Sequence, residues 1–286
     1  MTNAGIHVAV TGSSGRLGRL IVHKLLAAGH DVVGLDRTPD SSSGSRFVQG
    51  SILDTDALAS TFAGADAVVH TAALLTRGNT QPDIFEVNTR GTWNVFDAAN
   101  RAGARRVVSF SSECAVGQCF QRAMRPPRYL PIDEAHPLEP QDAYSLSKQL
   151  GEDIARAFRR TGGPSVVILR PTWVMFPMPA SELEARRALG HGDMWCWVAP
   201  DDVAAATVAA VALETDFDTF FLGAPNTLCE APTLDRLRAR WGTLPALRDP
   251  GFYAADPTAG IYDSRKAGQK LGFQPTRDWR GLLTPG

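Results

Sequence analysis

The chain has 286 residues, of which 44% are hydrophobic and 21% are charged, and its formal net charge is -1. These values are ordinary for a globular protein, and the near-neutral charge gives no electrostatic case for nucleic acid or an anionic membrane surface as a partner. No apolar run approaches the ~20 residues that a membrane-spanning helix needs.

Strand and helix patterns alternate along the first part of the chain. Short apolar, β-rich runs predict strands at residues 6–11, 31–35, 46–48, 67–70, 106–110 and 166–169. Apolar positions at helical spacing predict helices at residues 15–28, 54–62, 83–101 and 144–158. Repeated β-α-β units with short links predict an α/β fold, a doubly wound parallel sheet (Rossmann fold) with helices on both faces.

The pattern loosens after Pro171. Beyond it we predict a helix at residues 202–213, a strand at residues 219–222 and a helix at residues 234–240. Breaks rich in Pro, Gly and Ser lie at residues 38–45 and 125–140. We therefore expect residues 1–170 to form a cofactor-binding core, and residues 171–286 to form a small substrate-binding cap that is partly interleaved with it.

The cysteines bear on the cellular compartment. The chain has four of them, at positions 114, 119, 196 and 229. They form no C-x-x-C pair, and no histidine spacing completes a zinc site. The strand pattern begins by Ile6, so we expect no signal peptide. Reduced thiols in a cytoplasmic protein are the resulting expectation, with no metal.

A glycine-rich loop links the first strand to the first helix. Residues 10–18 read V-T-G-S-S-G-R-L-G, with Gly12, Gly15 and Gly18 at G-x-x-G-x-x-G spacing. Between a strand and a helix, such a loop lets a pyrophosphate approach the backbone and face the N–H groups of the helix. We predict that this loop binds the cofactor through Gly12, Ser14, Gly15, Arg16 and Leu17.

The second strand ends at an acidic residue that bears on the choice of cofactor. Asp36 lies at the distance from the loop expected of the acid that binds the adenosine ribose. A carboxylate there accepts from both ribose hydroxyls and repels a 2′-phosphate, which favours NAD over NADP. The neighbouring Arg37 can pair with a 2′-phosphate, so NADP remains the alternative.

A tyrosine and a lysine lie one helical turn apart in Y-S-L-S-K, residues 144–148. Residues four apart share a helix face, so Tyr144 and Lys148 point the same way. Together with the glycine loop, this motif resembles the short-chain dehydrogenase/reductase superfamily, in its extended branch, the NAD-dependent epimerase/dehydratase group. The resemblance covers residue 6 to about residue 170, with weaker similarity at residues 201–204 and 271–275.

The resemblance implies a catalytic set. Tyr144 would give and take a proton, while Lys148 would bind the nicotinamide ribose and lower the pKa of Tyr144. Ser112, five residues before Gly117, would hydrogen-bond the reacting oxygen. Ser111 would be a bystander that is packed or bonded to backbone.

The resemblance also implies further contacts by position. Ala72 and Ala73 would lie where backbone nears the cofactor, Asn88 would brace the sites, and Ser51 with Ile52 would contact the adenine. Ser51 replaces an Asp that the family usually has, so adenine recognition departs from the pattern. His70, a single histidine at a strand end, is expected to be structural.

The stretch F-S-S-E-C-A-V-G, residues 110–117, raises the question of dehydration. Related sugar-nucleotide dehydratases carry T-D-E there, with the Asp as acid and the Glu as base. Glu113 and Cys114 take those two places, so the base is missing, and a neutral thiol with a pKa of ~8.5 replaces it poorly. Hydride transfer is therefore predicted instead of elimination, with no catalytic role for Cys114.

Glu113 is predicted to select the substrate. As a charged carboxylate it would accept from a substrate hydroxyl or amine, a bond that contributes ~1.5–3 kcal/mol. Glu113→Gln is then expected to raise KM by about tenfold to a hundredfold.

The tail is compact and similar to that of uronate dehydrogenases, whose T-W-L-S-x-D-D segment is similar to C-W-V-A-P-D-D at residues 196–202. Residues 190–196 hold no Arg to bind a substrate carboxylate, and Glu113 would repel one. Aromatic and methionine side chains suggest an apolar pocket, although core packing is the better reading for any single one: Trp173, Met175, Met178, Trp195 and Trp197. Predicted substrate contacts are Leu75, Glu113, Cys114, Thr172, Trp173 and Trp197.

The sequence thus predicts an NAD-dependent oxidoreductase that interconverts a secondary alcohol and a ketone on a small, uncharged, sugar-like or natural-product substrate. An epimerase of nucleotide sugars that retains its NAD is the alternative. A catalytically silent NAD(P)-sensing protein is a third reading, disfavoured by the intact Tyr144 and Lys148. A homodimer is expected, with no nucleic acid or membrane as a partner.

Overall fold

The computed structural model describes residues 5–39, 44–123, 125–188 and 192–284. Eleven strands are found in this part of the chain. In chain order they are β1 (His7–Thr11), β2 (Asp31–Asp36), β3 (Arg46–Gln49), β4 (Ala67–His70), β5 (Arg106–Phe110), β6 (Tyr129–Leu130), β7 (Ser165–Pro171), β8 (Met178–Pro179), β9 (Phe217–Leu222), β10 (Ala246–Leu247) and β11 (Leu283–Thr284).

Seven of these strands form one sheet, in the order β3-β2-β1-β4-β5-β7-β9. Every neighbouring pair in it is parallel. Two-residue strands form two small separate pairs, β6 with β10 and β8 with β11. The predicted doubly wound parallel sheet is confirmed. Of the predicted break at residues 38–45, residues 40–43 lie outside the described residues.

Nine helices connect or flank the strands in the described residues. They are α1 (Arg16–Ala27), α2 (Thr55–Phe62), α3 (Gln81–Arg101), α4 (Ala143–Arg160), α5 (Ala180–Arg187), α6 (Pro200–Ala212), α7 (Thr233–Trp241), α8 (Pro250–Ala255) and α9 (Arg265–Leu271). None of them, within the described ranges, has the length and apolar character that a bilayer crossing requires.

Both faces of the sheet are buried, because successive side chains of a strand point to opposite faces. Val8 and Val10 of β1 pack in a cluster with α1, including Ile21. Ala9, between them, packs in a second cluster with Phe62 of α2 and Phe96 of α3. The continuous apolar character of β1 follows from this double coverage.

The C-terminal part of the chain contributes a strand to the sheet and a helix to one of its faces. β9 pairs with β7 at the sheet edge, and α6 packs on the same face as α1. A third apolar cluster lies beyond the strand ends and includes Trp195, Trp197 and Phe221. The division at residue 170 into core and cap stays a prediction.

Candidate active site

A cavity of about 1000 Å³ runs along the carboxyl ends of the parallel strands. This is where open α/β sheets bind their ligands. One end lies at Asp36 and the glycine loop, the middle at Tyr144 and Lys148, and the far end at Trp173 and Asp193.

The glycine loop fits a dinucleotide. Gly12 has a φ of 75°, and a Cβ there would lie 2.7 Å from the backbone nitrogen of Ala72. A Cβ on Gly18 would lie 2.0 Å from the carbonyl oxygen of Gly12, so the helix can approach the loop only without one. Gly15 is the N-cap of α1 and lines the cavity, which places the free N–H groups of the first helical turn at its wall.

Asp36 is held at the same end of the cavity. Its Oδ2 accepts from the backbone N–H of Ser14 at 3.1 Å, and its Oδ1 accepts from that of Thr38 at 3.2 Å. Two further lone pairs remain on the carboxylate for ribose hydroxyls. Arg37 lines the cavity beside it, so both groups that bear on the cofactor choice lie where the sequence predicts them.

The structure brings Ser112, Tyr144 and Lys148 together in the middle of the cavity. Ser112 and Tyr144 both line the cavity, and Ser112 lies close enough to the Tyr144 hydroxyl to lower its pKa. Lys148 Nζ lies 5.7 Å from the centre of the Tyr144 ring and donates to the carbonyl oxygen of Phe110 at 2.9 Å. Ser112, Tyr144 and Lys148 therefore lie together at the cavity wall.

Burial sets the ionisation of this set. The enclosed position of the Tyr144 hydroxyl raises its pKa, and the nearby Ser112 opposes that rise. Burial lowers the pKa of Lys148 to about 8. The predicted lowering of the Tyr144 pKa by Lys148 and an oxidised nicotinamide stays a prediction.

Ser112 owes its place to a turn at the end of β5. It is the N-cap of a short 3₁₀ helix, Glu113–Val116, and its Oγ accepts from the backbone N–H of Cys114 at 3.2 Å. Gly117 ends this turn with a φ of 89°, and a Cβ there would lie 2.1 Å from the carbonyl oxygen of Glu139. A side chain at position 117 would therefore clash, which explains why a glycine stands five residues after Ser112.

Ser111 is packed, as expected, and its hydroxyl has a side-chain partner. The residue is buried, and its Oγ donates to Glu152 Oε1 at 2.7 Å. Arg170 binds both oxygens of Glu152 at 2.8 Å, through Nε and Nη2. Sequence reasoning missed this buried ion pair, although Glu152 lies one helical turn after Lys148.

Glu113 points into the cavity without an ionic partner. Its side chain is 2% exposed, and its Oε2 has no hydrogen-bond partner in the described residues. Burial raises its pKa well above the ordinary value, and the nearby Cys114 and Asp193 raise it further. The fully charged carboxylate expected from the sequence therefore does not fit its surroundings.

A second cysteine lies beside Cys114. Cys114 and Cys119 both line the cavity, and the nearby Cys114 raises the pKa of the Cys119 thiol. Sequence reasoning missed Cys119, because its five-residue separation from Cys114 gives no helical or strand signal.

The far end of the cavity contains an arginine that the sequence search did not find. Arg186, in the last turn of α5, stacks over the Trp173 ring at 3.7 Å. Its Nη1 donates to Asp193 Oδ2 at 2.8 Å. The sequence interpretation concerned only residues 190–196, which hold no Arg. The Arg at this end of the cavity comes from α5, a segment that the interpretation did not cover.

Several predicted contacts lie on the cavity wall and others do not. The wall includes Leu75, Ser51, Ile52, Ala72, Ala73, Arg16, Leu17, Thr172, Trp173 and Cys114. Trp197 does not line it among the described residues: it is 1% exposed and packs in the third apolar cluster. The predicted substrate contact of Trp197 therefore does not fit its buried position. Met175 and Trp195 pack in the same cluster, as the core-packing reading expects.

Two predicted residues act behind the wall. Asn88 Oδ1 accepts from the backbone N–H of Leu74 at 2.7 Å, and its Nδ2 donates to Ser147 Oγ at 3.2 Å, so it joins the cavity loop to α4. Ser14 meets the site through its backbone bond to Asp36, while its own Oγ has no partner.

His70 is structural, as predicted. Its Nδ1 bonds to Thr11 Oγ1 at 2.8 Å and its Nε2 to Thr92 Oγ1 at 3.0 Å. Burial, with the Lys148 charge, lowers its pKa to about 3, so the ring is neutral.

The chain is similar to a known protein family and to several known enzymes. The model of the NAD dependent epimerase/dehydratase family matches residues 8–189. An L-arabinose 1-dehydrogenase (NAD(P)(+)) from Haloferax volcanii is 33% identical over 68% of this chain and 78% of its own. A UDP-glucose 4-epimerase from Mycolicibacterium smegmatis is 29% identical over 93% of this chain and 92% of its own.

A solved structure shares the fold along nearly the whole chain. It is a short-chain dehydrogenase/reductase superfamily protein from Agrobacterium tumefaciens with bound NAD. The TM-score is 0.73 and the sequence identity 27%, over 96% of this chain and 94% of the other.

Proposed function

Because the chain belongs to the NAD dependent epimerase/dehydratase family, we propose that it is an NAD-dependent oxidoreductase that interconverts a secondary alcohol and a ketone on a small sugar-like molecule. One observation carries the proposal. Ser112, Tyr144 and Lys148 lie in the wall of the same cavity as Asp36 and the glycine loop.

The proposed roles follow from the chemistry of each group. Bound NAD⁺ supplies the acceptor for the hydride that leaves the alcohol carbon. Tyr144 takes the proton of the alcohol oxygen, and Ser112 holds that oxygen in line with the Tyr144 hydroxyl. The Lys148 ammonium favours the phenolate form of Tyr144, which lowers the barrier to proton removal.

Elimination of water is disfavoured at this site. It needs a base at the place of Cys114, where the chain offers a thiol. That thiol lines the cavity, and the sequence has no carboxylate at this position to act as the base. Simple hydride transfer requires no such base.

The far end of the cavity supports a polar, uncharged substrate. Trp173 offers an aromatic face, and Glu113 and the Arg186–Asp193 pair offer hydrogen-bonding groups. Although Arg186 is a cation, its ion pair with Asp193 compensates its charge. A similar relative acts, by its name, on L-arabinose, which makes aldoses the first compounds to test.

An NAD-retaining nucleotide-sugar epimerase is the second candidate. The observation that favours it is the similarity to the Mycolicibacterium smegmatis epimerase along 93% of the chain. The volume of the cavity, about 1000 Å³, does not exclude a nucleotide sugar as the substrate. A silent NAD(P)-sensing protein is the weakest candidate, since such a protein has no need of Ser112, Tyr144 and Lys148 at one point.

The test is a screen of aldoses, cyclitols and simple secondary alcohols with NAD⁺, followed by NADH absorbance. The proposal predicts NADH formation with a subset of polyols and its loss in Tyr144→Phe. A screen in which no compound yields NADH, while a UDP-hexose is epimerised, would replace the proposal by the second candidate.

A further inference from the structure

Glu113 is a buried carboxyl group in the wall of the cavity that also contains Trp173 and Asp193. It follows Ser112 directly, so the backbone fixes it beside the reacting centre. Its Oε2 has no hydrogen-bond partner in the described residues, although the side chain is only 2% exposed. A buried polar atom in this condition is costly unless a ligand satisfies it.

The groups around Glu113 do not compensate a negative charge. The cation nearby, Arg186, is hydrogen-bonded to Asp193. The backbone N–H of Trp173 is the other group that favours the charged form. The remaining titratable groups that face Glu113 from the neighbouring segments are neutral or acidic: Cys114, Cys119, Tyr144, Asp193, Cys196 and Tyr262.

We propose that Glu113 works as a neutral carboxylic acid whose O–H donates a hydrogen bond to a substrate oxygen beside the carbon that is oxidised. The inference rests on the proposed oxidoreductase function and narrows its substrate class. The substrate carries a second oxygen next to the reacting carbinol, as in a vicinal diol or a sugar. A simple secondary alcohol leaves the Glu113 hydrogen unpaired in a buried site, and the enzyme discriminates against it.

This assignment reverses the expectation drawn from the sequence. A charged Glu113 would accept a hydrogen bond, and Glu113→Gln would remove the charge that makes that bond strong. A neutral Glu113 donates, and the amide of Gln keeps a donor and an acceptor in nearly the same shape. The Gln and Ala variants therefore separate the two accounts.

The first experiment measures KM and kcat for the wild type, Glu113→Gln and Glu113→Ala, with an aldose that passes the screen and its deoxy analogue. We expect Glu113→Ala to raise KM for the aldose by about 10- to 100-fold, and Glu113→Gln by about 2- to 5-fold. The wild type should prefer the aldose over the analogue by about 10- to 100-fold, a preference that Glu113→Ala loses. Equal KM increases in the two variants would overturn the inference.

The pH dependence gives a second readout. Since the neutral form is present below the raised pKa of Glu113, KM of the wild type should rise as the pH increases through that pKa, whereas KM of Glu113→Gln should stay flat. A wild-type KM that falls with rising pH over the same range would mean that the charged form binds.

Thermal unfolding tests the neutral state without any substrate. A carboxyl whose pKa is raised in the folded protein contributes stability at low pH that is lost as the pH rises through that pKa. The NAD-loaded Glu113→Gln variant should therefore gain on the order of 2–4 °C in Tm over the NAD-loaded wild type at alkaline pH, and less at acid pH. A lower Tm of the variant at alkaline pH would contradict a neutral Glu113.

The outcomes separate the two proposals. If the screen finds no oxidised compound, the inference falls with the proposed function. If an aldose is oxidised but its deoxy analogue is used equally well, the function stands and the inference fails.

Discussion

The carboxylate of Asp36 is positioned by backbone donors before a cofactor binds. Ser14 and Thr38 each hold one of its oxygens, so it faces the cavity as a fixed negative charge. A 2′-phosphate placed against it would form a like-charge pair in a partly desolvated site. We therefore propose that Asp36 carries the preference for NAD over NADP.

Removing the negative charge of Asp36 should reduce the preference for NAD over NADP. We expect Asp36→Ala to weaken NAD binding by about tenfold, the loss of charge-assisted bonds to ribose, and to improve NADP binding through Arg37. Titration of both proteins with both cofactors measures this. Tighter binding of NADP than NAD by the wild type would mean that Arg37 dominates.

The Tyr144 hydroxyl is the proton-transfer group of the proposed reaction. Tyr144→Phe keeps the ring but removes the hydroxyl, so kcat should fall by on the order of 10²–10⁴, with little change in NAD affinity. Lys148→Met should lower both kcat and NAD affinity, since we propose that Lys148 also binds the cofactor. Steady-state kinetics and NAD titration separate the two effects. A Tyr144→Phe variant with near wild-type turnover would rule out the proposed roles.

Single residues differ in how far the sequence predicts them. Helical spacing predicts that Tyr144 and Lys148 share a face, whereas their roles, and the choice of Ser112 five residues before Gly117, come from the family resemblance. The ionisation of Glu113 could not be predicted, because it depends on Asp193 and Trp173, which fold against it from distant parts of the chain. Arg186 was missed for the same reason.

At the level of helices and strands, a buried ion pair fixes the catalytic helix. Glu152 of α4 binds Arg170 of β7 through two bonds and accepts from Ser111 after β5. Burial raises the pKa of Glu152, but the bonds from Arg170 outweigh it, and the pKa is lowered. This contact joins α4, which carries Tyr144, to β7 and to the segment that follows β5.

Breaking the pair should be costly. Arg170→Met leaves Glu152 buried with a poorly compensated charge, and we expect a loss of ~3–5 kcal/mol in the free energy of unfolding. Arg156→Met, which removes the half-exposed second partner of Glu152, is the matched control and should cost at most ~1 kcal/mol. Denaturant unfolding measures both.

The pH dependence of this loss has a defined sign. Since the pKa of Glu152 is lowered in the folded protein, its stabilising effect is present above its unfolded pKa and lost as the pH falls through the folded one. The difference between wild type and Arg170→Met should therefore shrink in acid. Equal stability of Arg170→Met and Arg156→Met at neutral pH would refute the positioning role.

The longer elements were predictable from the sequence and the shortest were not. α4 was expected at residues 144–158 and spans Ala143–Arg160, because its apolar stripe is regular and Asp142 caps it. The two-residue strands β6, β8, β10 and β11 were missed. Each of them forms by pairing with a segment far away in the chain. A strand of two residues is too short to show a periodic sequence pattern.

The whole molecule exposes an apolar face that bears on its assembly. Phe85 and Trp93 lie two turns apart on α3 and are 40% and 51% exposed, and Leu146 of the adjacent α4 is 37% exposed. Such a face is costly in water. We propose that it meets the same face of a second copy in a two-fold symmetric homodimer, since one self-complementary patch suffices there.

The dimer proposal is tested by light scattering after size exclusion. The wild type should elute as a dimer, and Phe85→Asp as a monomer, because the substitution places two like charges at the symmetric interface. Thr243→Asp, which changes an exposed position elsewhere, should remain dimeric. A monomeric wild type would contradict the proposal.

Catalytic release of NADH is the most direct test of the account as a whole. An oxidoreductase of the proposed kind passes each hydride to a fresh NAD⁺, whereas an epimerase returns it to the same substrate and keeps its cofactor. The measurement counts NADH molecules in the ultrafiltrate per protein chain, after incubation with excess NAD⁺ and an aldose from the screen. We predict many NADH molecules per chain for the wild type and none above background for Tyr144→Phe. At most one NADH per chain, retained by the protein while a sugar epimer accumulates, would contradict the account.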